Sequence, residues 1–167
     1  VFFHDGKFGV CSRNLELKFD EEFQGTFWKA ALALNLDTSL PNYCESFGKS
    51  LAIQGELIGP GIQKNPYGLD KHEFRVFDVF DIKEQRYWNP DDRFRLTETL
   101  LLLNVPLPER RIMYGTEFSM EYLLDCANGF TFLPNSRAKR EGIVFKNWDN
   151  PELSFKVISN EWLLGEK

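Results

Sequence analysis

Glu56 lies in the run Gly55-Glu56-Leu57-Ile58, a carboxylate inside an otherwise apolar, strand-forming stretch. Burying a carboxylate is costly unless a cation pairs with it, while the alternative, an outward-facing position, is ordinary in a strand of period two. Two lysines raise the same question. Glu141 and Lys146 stand at either end of Glu141-Gly142-Ile143-Val144-Phe145-Lys146, and Lys156 interrupts Phe155-Lys156-Val157-Ile158. A lysine among strand-forming residues either snorkels from a sheet edge or faces an anion. If Glu56, Glu141, Lys146 and Lys156 converge, they supply a phosphate and metal site, with carboxylate oxygens for a hard divalent cation and ammonium groups for phosphate. Spacing alone does not establish the convergence.

The segment Gly59-Pro60-Gly61-Ile62-Gln63-Lys64-Asn65-Pro66 combines glycines that allow close backbone approach with Gln63, Lys64 and Asn65, all able to hydrogen-bond a phosphate or a base. It matches neither the Walker nor the Rossmann pattern. The basic clusters Arg110-Arg111 and Arg137-x-Lys139-Arg140 read as solvated faces, and as the places where a backbone phosphate docks cheaply on this chain. His4 and His72 read as solvated, and the four tryptophans as core or rim residues.

These residues need strands to hold them. Asp5-Gly6 between apolar runs predicts a hairpin with a primed turn. Residues 21–36 carry apolar side chains at helical spacing behind the acidic run Asp20-Glu21-Glu22, which predicts a helix. A shorter helix is predicted from Ser39-Leu40-Pro41 to near Gly48. Strands are predicted at 51–58 and 74–82, the second with Phe74, Val76 and Asp78 on one face and Arg75, Phe77 and Val79 on the other. Helices at 91–103 and 119–128, the second capped by Ser119 and ended by Gly129, and strands at 142–146 and 153–158 complete the reading. Strands and helices mix without a regular βαβ alternation, so the fold class is α+β with mostly antiparallel sheets flanked by helices.

The 167 residues, 43% hydrophobic and 27% charged, fit one globular domain and exclude a disordered or collagenous chain. No repeat or linker interrupts them. The net charge of -5 disfavours a uniformly basic nucleic-acid coat, so a polyanion would have to meet a local cluster. Apolar runs are far shorter than a membrane span, and three widely spaced cysteines indicate neither a zinc site nor a disulfide framework. The expected setting is reducing, intracellular and cytoplasmic.

The order of these motifs resembles that of the ATP-dependent RNA ligases within the covalent nucleotidyltransferases. Ser12-Arg13-Asn14 looks like the Arg-bearing strand end that follows the nucleophile motif, and residues 55–65 like motif III with its RNA-ligase extension. Phe74-Arg75-Val76-Phe77-Asp78-Val79 looks like motif IIIa, residues 141–146 like motif IV, and Ser154-Phe155-Lys156-Val157-Ile158-Ser159-Asn160 like motif V. The resemblance spans residues 8–164. Two departures stand out: no K-x-D-G nucleophile motif occurs in 1–167, and Ile158 replaces a second motif V lysine of the phage-type relatives. The chain is therefore expected to be a partial RNA ligase adenylyltransferase domain, an ATP-grasp-like nucleotidyltransferase fold whose motif I lysine lies upstream of Val1.

The resemblance implies a three-step reaction in which a lysine takes AMP from ATP, AMP passes to an RNA 5′-phosphate, and an RNA 3′-hydroxyl displaces it. It assigns Lys146 and Lys156 to the transferring phosphate, Glu141 to Mg²⁺, Glu56 and Arg13 to the ribose and adjacent groups, and Phe77 to stacking on adenine. Gln63, Lys64 and Asn65 form the substrate loop. Two other readings are a non-catalytic nucleotide or RNA-binding module of the same fold, and a DNA ligase or mRNA-capping nucleotidyltransferase.

Overall fold

The computed structural model describes residues 1–107, 119–134 and 136–165. The predicted hairpin pairs β1 (Phe2–His4) with β2 (Lys7–Cys11), and Asp5 and Gly6 take positive φ of 47° and 73° at the turn. A two-residue β3 (Glu16–Leu17) follows β2. The main sheet runs β3-β2-β1-β4-β5-β6, with β4 at Leu51–Ile58, β5 at Glu73–Asp81 and β6 at Arg86–Tyr87. Every pairing on this path is antiparallel; β7 (Leu103–Asn104) adds alongside β5 in parallel. A separate antiparallel hairpin joins β8 (Gly142–Lys146) to β9 (Ser154–Ile158). The α+β class with mostly antiparallel sheets is what the molecule has.

The helices depart from expectation in instructive ways. Residues 21–25 are not helical, because the Asp20 carboxylate accepts from the Glu22 and Phe23 amides at 2.9 Å each and folds the acidic run into a turn. The helix α1 starts only at Thr26–Ala33. Next, α2 spans Leu36–Phe47, three residues earlier than predicted, with Pro41 in its interior. An interior proline costs about 3 kcal/mol. Leu36, Leu40 and Cys44, at four-residue spacing, are all but fully buried, and that packing outweighs the cost. The predicted stop at Gly48 is correct, with the Lys49 amide donating to Cys44 O at 2.8 Å in a Schellman turn.

Helix α3 covers Pro90–Thr99 rather than reaching residue 103. Leu101 takes φ of 55°, and the Leu102 amide donates to Thr97 O at 2.7 Å, forming the same motif without a glycine. The turn leaves Leu101 exposed but sends Leu100 and Leu102 into the core and frees β7 to pair with β5. Helix α4 (Met120–Ala127) is capped by Ser119, whose hydroxyl accepts from the Tyr122 amide at 3.1 Å. A short α5 (Asn160–Leu163) follows β9.

The core lies on one face of the main sheet, where Leu51, Ile53, Val76 and Val79 pack with Leu36 and Leu40 of α2 and Leu96 of α3. Asp81 is fully buried at its rim, paired with Lys49 at 2.9 Å and accepting from the Lys83 and Glu84 amides. Burial pushes its carboxyl up, but these partners together with Trp88 outweigh that and hold it below the usual range.

The expected faces of β5 need correction. Gln54 pairs with Asp78 while its neighbour Gly55 pairs with Val76, so Phe77 is an extra residue in a β-bulge. Strict alternation fails there. Val79 shares the core face with Val76 and Phe74, whereas Asp78 joins Arg75 on the opposite face. Gly55 is required beside the bulge, since a Cβ would come within 2.6 Å of both Arg75 O and the Phe74 ring.

Candidate active site

The bulge is braced from α3. The Arg93 guanidinium, itself buried, donates to the Phe77 carbonyl that the bulge leaves out of the ladder. Burial lowers the Arg93 pKa, and the Asp78 charge opposes that shift. The consequence is a sheet face, opposite the core, that presents Glu56, Arg75 and Asp78 together, with Phe77 at the bulge beside them. Arg75 is held by Glu73 at 2.6 Å and by Asn104 O at 3.2 Å.

The β8–β9 hairpin supplies the second wall. Val144 pairs with Lys156 and Lys146 with Ser154, so Lys146 and Lys156 share one face of this hairpin. Lys146 forms an ion pair with Asp78, which ties that face to the main sheet. Lys156 pairs with Glu141 at 2.5 Å. Trp148 Nε1 donates to Asp91 at 3.2 Å, fixing the turn beyond Lys146 against α3.

Arg140 sets where the hairpin begins. Its guanidinium donates to the carbonyls of Cys126, Ala127, Asn128 and Phe130 and so satisfies the open C-terminal end of α4. Lys139 pairs with Glu161 at 3.5 Å. These two residues of the basic cluster are thus fastened to the fold rather than forming a solvated face. Arg110 and Arg111 lie outside the described residues.

Tyr67 stands beside Glu56. Burial raises its phenol pKa first, and the charges of Glu56 and Glu141 raise it further. With Glu56, Arg75, Thr131 and Leu133 it lines a cavity of about 80 Å³. Tyr67 belongs to the loop between β4 and β5, in which Gln63, Lys64 and Asn65 all take positive φ. Gln63 and Lys64 are exposed, whereas the Asn65 side chain is spent inside the loop, donating to Leu69 O at 2.9 Å and accepting from the Leu69 amide at 3.1 Å. His72, expected to be solvated, remains exposed but contacts Pro60 O at 2.7 Å and closes the base of this loop.

Glu56 on the main sheet thus stands opposite Lys146, Lys156 and Glu141 of the hairpin, which Lys146 ties to that sheet through Asp78, with Phe77 at the β5 bulge. Arg13 stands apart: it is exposed in the β2–β3 turn, with no hydrogen bond or ion pair to a described residue. Asp78, which sequence reasoning did not single out, is brought to Lys146 by the fold, although it carries the same signal as Glu56, a carboxylate in an apolar strand. Tyr67 and Arg93 carried no such signal. Among the described residues no group of three His, Cys, Asp or Glu side chains gathers to hold a metal. The donor set fits a hard divalent ion that takes one carboxylate, Glu141, and completes its shell with phosphate oxygens and water.

Comparisons with known proteins agree with this fold. No curated protein matches the chain. A lysine-to-methionine variant of Naegleria gruberi RNA ligase with AMP and Mn is 33% identical, with a TM-score of 0.82 over 98% of this chain and 46% of that one. A lysine-to-alanine variant of the same ligase with ATP and Mn gives 33% identity and a TM-score of 0.82 over 98% and 47%. This chain therefore spans about half the length of the structures it matches. The RNA ligase family model matches residues 1–158. The fold is that of an RNA ligase nucleotidyltransferase domain, and the chain belongs to the RNA ligase family.

Proposed function

We propose that the protein joins RNA 3′-hydroxyl and 5′-phosphate ends with ATP, through a lysyl-AMP and an RNA-adenylate. The observation that carries this reading is the arrangement of Lys146 and Lys156 on one hairpin face, opposite the Glu56 and Asp78 face of the main sheet, with Phe77 at the bulge beside Asp78. A cleft with an aromatic ring, carboxylates and two ammonium groups suits a nucleotide triphosphate better than a neutral ligand. The relatives' structures with ATP or AMP and Mn support the same choice.

In this reading Phe77 stacks on adenine and Glu56, with Arg13 where the strand end reaches it, holds the ribose hydroxyls. Lys146 and Lys156 face the α-phosphate and stabilise charge that grows on its oxygens as the phosphoryl group transfers. Asp78 fixes the Lys146 ammonium in the cleft, and Glu141 does so for Lys156. Glu141 would also hold Mg²⁺, which supplies charge neutralisation at the phosphates. The cationic surroundings lower the pKa of the attacking amine and so favour its nucleophilic form. Residues 1–167 contain no K-x-D-G motif, and we place that lysine in sequence upstream of Val1. Exposed Gln63 and Lys64 contact the RNA. The partners are RNA ends, and the setting is cytoplasmic.

The test is covalent labelling. Residues 1–167 and an N-terminally extended protein are incubated with α-labelled ATP and Mg²⁺, then denatured. Label is expected on the extended protein alone. Label retained by residues 1–167 would overturn the upstream nucleophile; none on either would remove adenylylation.

A further inference from the structure

We propose that a cavity beneath the edge strand β6, on the opposite sheet face from the cleft, is a second subsite that takes a backbone phosphate of a single-stranded RNA. This inference rests on the RNA-joining reading above. The cavity measures about 260 Å³ and is lined by Tyr43, Lys49, Arg86, Trp88, Asn89 and Arg95. Its one lining carboxylate is Asp92. Three cations therefore gather in one concavity of a chain whose net charge is -5. The volume falls just below the roughly 300 Å³ at which drug-sized ligand sites begin, which suits a phosphate with its sugar or base rather than a whole triphosphate.

The three cations are not equivalent. Lys49 is committed to the buried Asp81 at 2.9 Å. Arg95 pairs with Asp92 at 3.0 Å, but both side chains are solvated, and such a pair is worth only about 0–1 kcal/mol. Arg86 has no hydrogen bond or ion pair among the described residues. Arg86 thus offers an open guanidinium fork, and Arg95 can exchange Asp92 for phosphate at little cost; planar guanidinium groups bind phosphate oxygens in pairs. Trp88 and Tyr43 add aromatic surface of the kind on which bases of single strands stack.

Position makes RNA the fitting polyanion. Arg86 and Tyr87 are adjacent in β6, so their side chains leave opposite faces of the sheet. The Tyr87 ring lies 5.9 Å from the Lys146 ammonium, at the end of the cleft. On the same side Trp148 holds Asp91, two residues beyond Asn89 of the cavity. One strand's thickness therefore separates the cleft from the cavity, and a chain whose end occupies the cleft reaches Arg86 by passing over that edge.

The test uses the full-length protein, its Arg86→Ala and Arg95→Ala variants and the double variant. Binding of a fluorescein-labelled 20-nucleotide RNA is followed by anisotropy between 50 and 200 mM KCl, with ATP binding by calorimetry and thermal melting alongside. The double variant is expected to bind RNA about tenfold more weakly at low salt, with a salt slope smaller by about 0.7 for each phosphate the protein no longer neutralises, and with ATP affinity and melting unchanged. Arg86→Lys, which keeps charge but loses the fork, should fall between. RNA affinity and slope equal to wild type in the double variant would overturn the subsite while leaving the ligase reading intact. Competition by poly-glutamate equal to that by unlabelled RNA would also overturn it, in favour of an acidic polypeptide; competition by inorganic phosphate alone would reduce it to a free-anion site. A wild-type protein that binds ATP but no RNA would remove both readings.

Discussion

The β4–β5 pair and the β8–β9 hairpin are both antiparallel and both carry site residues, yet they are held by different forces. Leu51, Ile53, Val76 and Val79 of the first are almost wholly shielded from solvent under α2 and α3. In the second, Val144 is 58% and Phe155 47% exposed, and the Phe145 and Phe155 rings stack on each other at 5.2 Å. The hairpin is placed by directional polar bonds instead: Arg140 to the end of α4, Lys146 to Asp78 and Trp148 to Asp91. Apolar burial is large but non-directional, whereas hydrogen-bonded charged contacts are directional and fix a geometry. The sheet therefore carries the larger buried core, and the hairpin carries the alignment of the lysines.

Substitutions that strike one region and spare the other test that division. The largest expected effect is Leu40→Ala in α2, fully buried on the main sheet, which should cost about 2–5 kcal/mol in chemical denaturation while leaving adenylylation per folded molecule unchanged. An equal loss of activity in the folded population would show that the core and the cleft are not separable. Lys156→Met in the hairpin should do the reverse, lowering single-turnover adenylylation by about a hundredfold or more in the extended protein with melting intact. Glu141→Gln should also slow that reaction and raise the Mg²⁺ concentration it requires, since the amide keeps the shape but not the charge.

Across the β5 bulge the contrast sharpens to neighbouring residues. Phe77→Ala should weaken nucleotide use by about 1–3 kcal/mol of lost stacking, read as ATP affinity, whereas Phe74→Ala should chiefly lower the melting temperature. Exchange of the two phenotypes would mean the bulge does not turn Phe77 toward the cleft. A smaller effect is expected from pH on the sheet. The folded-state pKa of Asp81 is depressed, so its contribution is present above the unfolded value of about 3.9 and is lost as pH falls through the folded one. Denaturation across that acidic window should show a shallower pH dependence in Asp81→Asn than in wild type. Smallest of all, Tyr67→Phe removes one hydroxyl while keeping the ring, and should change adenylylation by about two- to tenfold, the worth of a single hydrogen bond to the bound nucleotide.

Much of this molecule follows from local sequence. Asp5-Gly6 alone dictates its tight turn, Gly48 ends α2, Ser119 caps α4, and the strands 51–58 and 142–146 fall where apolar period and flanking residues put them. Such features depend on interactions within a few residues of the chain, and so do the Glu56, Glu141 and Lys156 positions, conspicuous as charges among strand formers. Other features required contacts distant in sequence. Pro41 sits inside a helix because Leu36, Leu40 and Cys44 meet the sheet, and Leu101 turns left-handed because its neighbours are drawn into the core. Phe77 bulges where Gln54 and Gly55 of another strand set the register and Arg93 of a later helix takes up the carbonyl. The meeting of Lys146 with Asp78, separated by 68 residues, belongs to the same class. Motif order foretold the family, but no local pattern encodes which face a strand turns toward a partner it meets only after the chain has folded.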